Sequence, residues 1–406
     1  MKHLLIFKTT MLCVFVLTTT TLMQAQTWPK LYGASTHKGA YKIHESYDQG
    51  YIIQGFQNKP NALFRWSLLM KTDINGEILW EKFFGEPGSN IGMISSNLTS
   101  DGGFIISGLT SKYDYQGDPL LMKLNACAEY EWCNIYHIPG KQSYAADVLQ
   151  MPNGNFIALI NYYSFDNFER IWLFCLSPAG EVLWEKVYTQ EQSSLYYFNE
   201  TGHLLTLSSD GNILITADCW MADPQQPNVG FMATLHIMVD ADGEELWTEL
   251  FRESDDQAFS SYPVKTLEKL INIFYTCGVR TSDPVYGHSV ATLMKFNSNG
   301  VYLDHVILHP TQNNHIATNL VPYDTNHFVV TGSYRIGFEK PHIMLYKSDT
   351  LGNILHEKEL FRDDQAIQDA ILTTDNYVIM TSLHMTYNPL RWKVYINKVD
   401  GELNEA

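Results

Sequence analysis

The sequence predicts an all-β chain folded as a seven-bladed β-propeller of four-stranded blades, with the ring closed by the N-terminal strand. Two repeated half-units and one displaced strand carry that prediction. The first half-unit is clearest at Leu68–Gly85, LLMKTDINGEILWEKFFG. A short apolar run closes on a lysine and leads into Asp73-Ile74-Asn75-Gly76. There the aspartate can accept from its own downstream backbone and the glycine can take a positive φ, the chemistry of a tight hairpin. A second strand rich in Ile, Leu, Trp and Phe then returns.

Copies aligned on the turn glycine fall at Gly76, Ala128, Gly180, Gly243, Gly300, Gly352 and Gly401, at spacings of 52, 52, 63, 57, 52 and 49 residues. Four residues on stand Trp80, Trp132, Trp184 and Trp247, then Asp304 and His356. The second half-unit precedes each copy as a turn signal and a near-continuous apolar run, for example DQGYIIQG from Asp48, DGGFIISG from Asp101 and DGNILITA from Asp210. Such a run reads as a strand buried on both faces. With one strand further upstream, such as Ala40–Ser46, each period of about fifty residues holds the four strands of a propeller blade.

Only six outer strands follow the turns. The seventh is expected at 27–33, where Trp28-Pro29-Lys30-Leu31-Tyr32-Gly33 matches Trp80-Glu81-Lys82-Phe83-Phe84-Gly85. Closure by that strand removes an open sheet edge. The blades are then 34–85, 86–137, 138–189, 190–252, 253–309, 310–362 and 363–406 plus 27–33, in one domain over 27–406.

Residues 1–25 carry Lys2 and Lys8, the apolar Met11–Leu17 and a small residue, Ala25, at the expected cut. This is the pattern of a secretory signal, with a hydrophobic segment too short for a membrane anchor. An exported protein without a transmembrane segment after processing is expected, in the periplasm, at the cell surface or outside the cell. The full chain has a net charge of −17, and cleavage would remove two lysines and no acid. No Lys/Arg cluster supplies the basic face that a nucleic-acid partner requires.

Cys127 and Cys133 bracket the second hairpin turn, where a small-loop disulfide is compatible with an oxidising compartment. Cys175, Cys219 and Cys277 read as buried thiols. Propellers carry function in loops, and the loops after the second strands are aromatic. Trp66, Tyr115, Phe165, Trp220, Tyr286, Phe338 and Trp392 form a candidate binding face for sugar rings or a protein surface, against the alternative that they cap their own blades. The insertion Asp218–Val229 in the fourth blade is the candidate specificity loop. The acidic stretches at Phe251–Ala258 and Phe361–Ala366 read as solvated turns, and the turn aspartates Asp73, Asp240, Asp242 and Asp349 as turn formers, since no calcium-loop spacing follows. His37, His137, His288, His309, His315 and His384 are placed in loops. HExxH, GxSxG, Walker and dinucleotide motifs are absent, so the sequence assigns no catalytic, cofactor-binding or metal-binding residue and implies no cofactor.

The pairing of DGGFIISG with LLMKLN or LLMKTDINGEILWEKFFG resembles a repeat of exported bacterial β-propeller proteins, and its turn half is similar to the tryptophan-docking repeat of quinoprotein-like propellers. Quinoprotein dehydrogenases have eight blades and a dedicated cofactor and calcium site, neither of which is found here. Many members of the repeat family append a C-terminal sorting domain, whereas this chain ends in its last blade. Three functional readings follow. The first is a non-catalytic binding or scaffold propeller that recognises a protein or glycan through its loop face. The alternative is a carbohydrate-active hydrolase or lyase using carboxylates and histidines near the central channel. The third is an envelope-assembly scaffold. A convergent pocket of titratable groups separates an enzyme from a binder.

Overall fold

A computed structural model describes residues 28–33, 37–58, 65–85, 91–111, 117–137, 141–163, 168–189, 198–223, 226–251, 260–281, 289–308, 314–335, 342–360, 365–387 and 390–406. These residues form seven four-stranded antiparallel sheets. Six are made of consecutive strands, and the seventh combines Lys30–Tyr32 with Gln365–Leu372, Val378–Tyr387 and Leu390–Val399. Lys30 pairs with Ile396 and Tyr32 with Val394, so the expected ring closure is present. No helix among the described residues is long and apolar enough to cross a membrane.

The core is distributed over the seven contacts between adjacent blades. Blades 3 and 4, for instance, join through Leu159, Leu173 and Cys175 against Ile213, Ile215 and Leu235. Blades 7 and 1 join through Ile379, Val394 and Ile396 against Ala40, Ile53 and Met70. A blade buries its faces only against its neighbours, which explains why the middle strands read as unbroken apolar runs.

The hairpin turns follow one rule. Asp73 Oδ1 accepts from the amides of Asn75 (2.9 Å) and Glu77 (2.8 Å), and Asp240 and Asp400 repeat the arrangement. The turn aspartates therefore satisfy backbone donors. Positive φ falls at Gly76, Ala128, Gly180, Gly243, Gly300 and Gly352, and in the last copy at Leu403. The expected position, Gly401, is two residues early. The cap Asp400 fixes where the turn closes, through Leu403 N to Asp400 O at 3.0 Å, and forces a leucine into the left-handed region.

Outer-strand tryptophans dock on the turn of the next blade. A Cβ at Gly243 would sit 2.7 Å from the Trp184 ring, and one at Gly180 2.8 Å from Trp132. The Trp132 and Trp247 indoles donate to Pro178 O (2.9 Å) and Ser298 O (2.7 Å). Trp28 occupies the same place over Gly76. Lys30, Lys82 and Lys186 lie over the rings of Trp28, Trp80 and Trp184 at 5.6–5.8 Å. The displaced strand thus reproduces both the ring contact and the cation contact of its homologous copies.

A second lock joins the two half-units. Lys123 meets Asp101 at 2.8 Å and Lys398 meets Asp375 at 2.7 Å, while Lys71 bonds Asp48. Burial would raise the Asp101 pKa, but the bonds from Lys123, Thr99 and the Gly103 amide outweigh it and hold the group at about 2. Cys127 and Cys133 are separate exposed thiols with no disulfide between them. Cys133 stands up the returning strand opposite Met122, whereas Cys127 lies at the turn tip. That register keeps the two apart.

Candidate functional site

Every inner strand carries a β-bulge at the same height. The unpaired residues are Tyr41, Ile94, Ala146, His203, Val264, Thr318 and Gln368. A bulge bends its strand and re-aims the side chains beside it. The second strand must yield where the bent backbone approaches: a Cβ at Gly55 would lie 1.9 Å from Gly39 O, and one at Gly108 2.1 Å from Gly92 O. This close approach explains the glycine that ends DQGYIIQG and DGGFIISG. The residues after the bulges are Lys42, Ser95, Asp147, Leu204, Lys265, Asn319 and Asp369, which line the central channel with His203.

Two of these are staples between blades. Asp147 accepts from Ser95 Oγ (2.7 Å) and from the amides of Val148 and Leu205 (each 2.9 Å). Asp369 accepts from Asn319 Nδ2 (2.8 Å) and the Ile43 amide (3.1 Å).

Blade 4 differs from the others at this height, because its unpaired residue is a histidine. His203 Nε2 donates to Asp218 Oδ2 at 2.6 Å. A carboxylate accepts only, so Nε2 carries a proton, and Nδ1 has no hydrogen-bond partner among the described residues. Asp218 is 4% exposed and its Oδ1 is a buried acceptor without a partner among the described residues. Across the same inner strand, Glu169 is 6% exposed. It accepts from Thr201 Oγ1 (2.8 Å) and Tyr144 Oη (3.2 Å), while its own amide donates to Asn199 Oδ1 at 2.6 Å. Burial raises the Glu169 pKa, and the charge of Asp218 adds to the rise against the bonds from Thr201 and Tyr144. Glu169 in turn raises Tyr163, as its largest influence, and after burial it raises Tyr144. Tyr144, Tyr163, Glu169, His203 and Asp218 therefore form one electrostatically connected group, drawn from blades 3 and 4 at the rim of the channel.

The insertion expected as the loop Asp218–Val229 is largely strand. The middle strands of blade 4 run Ile213–Asp223 and Gln226–Val239, paired out to Asp223 and Gln226. Continued pairing satisfies the backbone, so the extra length becomes a tall hairpin. Trp220 lies two residues beyond Asp218, on the same strand face, and is 40% exposed. Of the other aromatic candidates, Trp392 packs edge-on against Phe56 and His37, and Trp66 is half-buried beside Gly85. Tyr115, Phe165, Tyr286 and Phe338 lie outside the described residues, as do most of the acidic loop stretches, His288 and His309. His37, His315 and His384 sit in strands rather than loops. His315 is buried and stacks on Tyr334 at 5.1 Å. Among the described residues no three His, Cys, Asp or Glu converge as a metal site.

No family model matches the chain, and no curated protein does. Its fold is similar to that of an ulvan lyase described as a new family of polysaccharide lyase, at 10% identity and a TM-score of 0.61 over 93% of this chain and 97% of that one. A second polysaccharide lyase aligns at 11% identity and 0.53, covering 91% of each chain. The β-propeller domain of the trilobed protease from Pyrococcus furiosus aligns at 9% and 0.51, covering 91% and 95%. That domain is described as having an open velcro topology, whereas this ring is closed by Lys30–Tyr32. At these identities the likeness shows the fold, a seven-bladed β-propeller.

Proposed function

We propose that the protein is an exported carbohydrate-active enzyme, a polysaccharide lyase whose site is the Tyr144–Tyr163–Glu169–His203–Asp218 group. The observation that carries this reading is His203, an imidazole presented at the channel by a bulge, with one nitrogen fixed by a buried carboxylate and the other unengaged. A glycoside hydrolase needs two carboxyl groups flanking the scissile bond. Here Glu169 and Asp218 are both buried, Glu169 bonded to Thr201 and Tyr144 and Asp218 to His203 through one oxygen, which favours elimination over hydrolysis.

In that reaction His203 Nδ1 takes the proton α to a uronate carboxyl group. The electron pair forms the new C–C double bond, the C–O bond to the leaving sugar breaks, and the departing oxygen takes a proton from a tyrosine. Asp218 holds the ring and stabilises the imidazolium. Glu169 accepts from Tyr144 and acts on Tyr163 through its charge, and Trp220 offers a stacking surface for a sugar ring. The fold also serves the polysaccharide lyases to which this chain is similar. The non-catalytic binding reading keeps one described aromatic, Trp220, presented to solvent.

The test is incubation of the purified protein with a panel of uronate-containing polysaccharides, following the ultraviolet absorbance of unsaturated uronate and, separately, reducing ends. Unsaturated products from at least one polymer are expected. Reducing ends without unsaturation would replace elimination by hydrolysis, and neither product across the panel would overturn the enzymatic reading.

A further inference from the structure

The channel holds two ammonium groups that make no direct bond within the acid–base group or the inter-blade staples. Lys42 and Lys265 follow the bulges of blades 1 and 5 and line one cavity of about 170 Å³ together with Asp147, Asn319 and Asp369. Asp147 and Asp369 spend their oxygens on the inter-blade staples already described. Neither lysine has a hydrogen bond or ion pair with a described residue. Both lysines are partly buried, and an ammonium group drawn out of bulk water gains from an acceptor, because desolvating an unpaired charge is costly. The charges act on one another across the channel: burial would lower Lys42 but the charges of Asp369 and Asp147 outweigh it and raise the group, whereas Lys265 is held below the ordinary lysine range by burial first and the charge of Lys42 second, against the pull of Asp369 and Asp147.

We infer that the central channel is a binding site for one compact oxyanion, a free phosphate or a small carboxylate, held between Lys42 and Lys265. An anion there accepts from both ammonium groups and cancels their repulsion. The cavity volume admits a small anion. The two lysines stand one position below His203 on the inner strands, beneath the proposed catalytic group. The inference does not depend on that group turning over a substrate.

The experiment is calorimetric titration of the purified protein with sodium phosphate, sulfate, acetate and citrate, against sodium chloride at matched ionic strength. Saturable one-site binding of a polyatomic anion, with none of chloride, is expected. Lys42→Met and Lys265→Met should each weaken it at least tenfold. Preference for phosphate assigns a phosphoryl ligand, and preference for acetate or citrate a carboxylate ligand. Absence of saturable binding by every polyatomic anion overturns the site, as does unchanged affinity in the double variant. Where the methionine variants lose their β-sheet circular dichroism, the wild-type protein decides by NMR line broadening of phosphate and acetate. Absence of broadening in both rejects the proposal. Anion binding without polysaccharide cleavage refutes the lyase reading alone, and cleavage without anion binding refutes the channel site alone.

Discussion

The outer turns and the inner strands of this ring repeat the same backbone seven times, but they differ in what they do with side chains. At the turns the chemistry repeats with the geometry. An aspartate, asparagine or serine caps the backbone, a left-handed residue follows, and in four places a tryptophan from the previous blade covers it. At the inner bulges the geometry repeats and the chemistry does not: the seven positions after the bulge are two lysines, two aspartates, a serine, an asparagine and a leucine. Uniform positions build the scaffold. Divergent positions at one common height aim seven different side chains into one channel, and there the functional groups collect.

The comparison is sharpened by perturbing each region. The largest effect is expected from removing 28–33, which strips the closing strand, the Trp28 dock and the blade 7–blade 1 contact together. Scanning calorimetry should show a loss of many degrees in melting temperature, and an unchanged melt would mean that the ring does not depend on its closure. Trp184→Ala should cost about 3–5 kcal/mol in denaturant unfolding, the range for deleting a packed aromatic side chain. A loss below about 1 kcal/mol would show that the turn docks are decorative.

A comparable effect is expected from acid on the inner strands. His44, bonded to Ser96 Oγ at 3.0 Å, is lowered to about 4, first by burial and then by Lys42 and Lys265, with Asp369 opposing. His236 is lowered to about 3 by burial. Both take up protons more readily in the unfolded chain, near the ordinary histidine value of about 6.5. Their contribution is complete above that value and is lost as pH falls from about 6.5 toward 4 and 3, by an amount on the order of 3–5 kcal/mol each. His236→Phe, which keeps the ring packed against Phe251 and Phe296, should flatten stability between pH 4 and 6. An unchanged slope would remove His236 from the account.

The fold was legible because its signals are local and repeated: WxK with the turn, DGGxIIxG with its glycine, and the stray Trp28–Gly33 segment. The slip at Gly401 shows the limit of aligning on glycine, since the Asp400 cap, not the residue type, sets the turn. The site was hardly legible. Its members come from five strands of two blades, and no spacing announces a bulge. A polar signal was nonetheless present in Glu200-Thr201-Gly202-His203, inside a stretch otherwise patterned as a buried strand, and in Asp218 at the end of an apolar run. The proposed group lies where the channel reading of carboxylates and histidines pointed, and none of the histidines expected in loops belongs to it.

The central claim is that His203 supplies a base to the channel. The most direct measurement is steady-state elimination by His203→Ala on the best polymer from the panel, with and without added imidazole. The account predicts a fall in kcat of about 10²–10⁴, little change in KM, and partial recovery with imidazole while the β-sheet spectrum is retained. Wild-type turnover by the folded variant would contradict it.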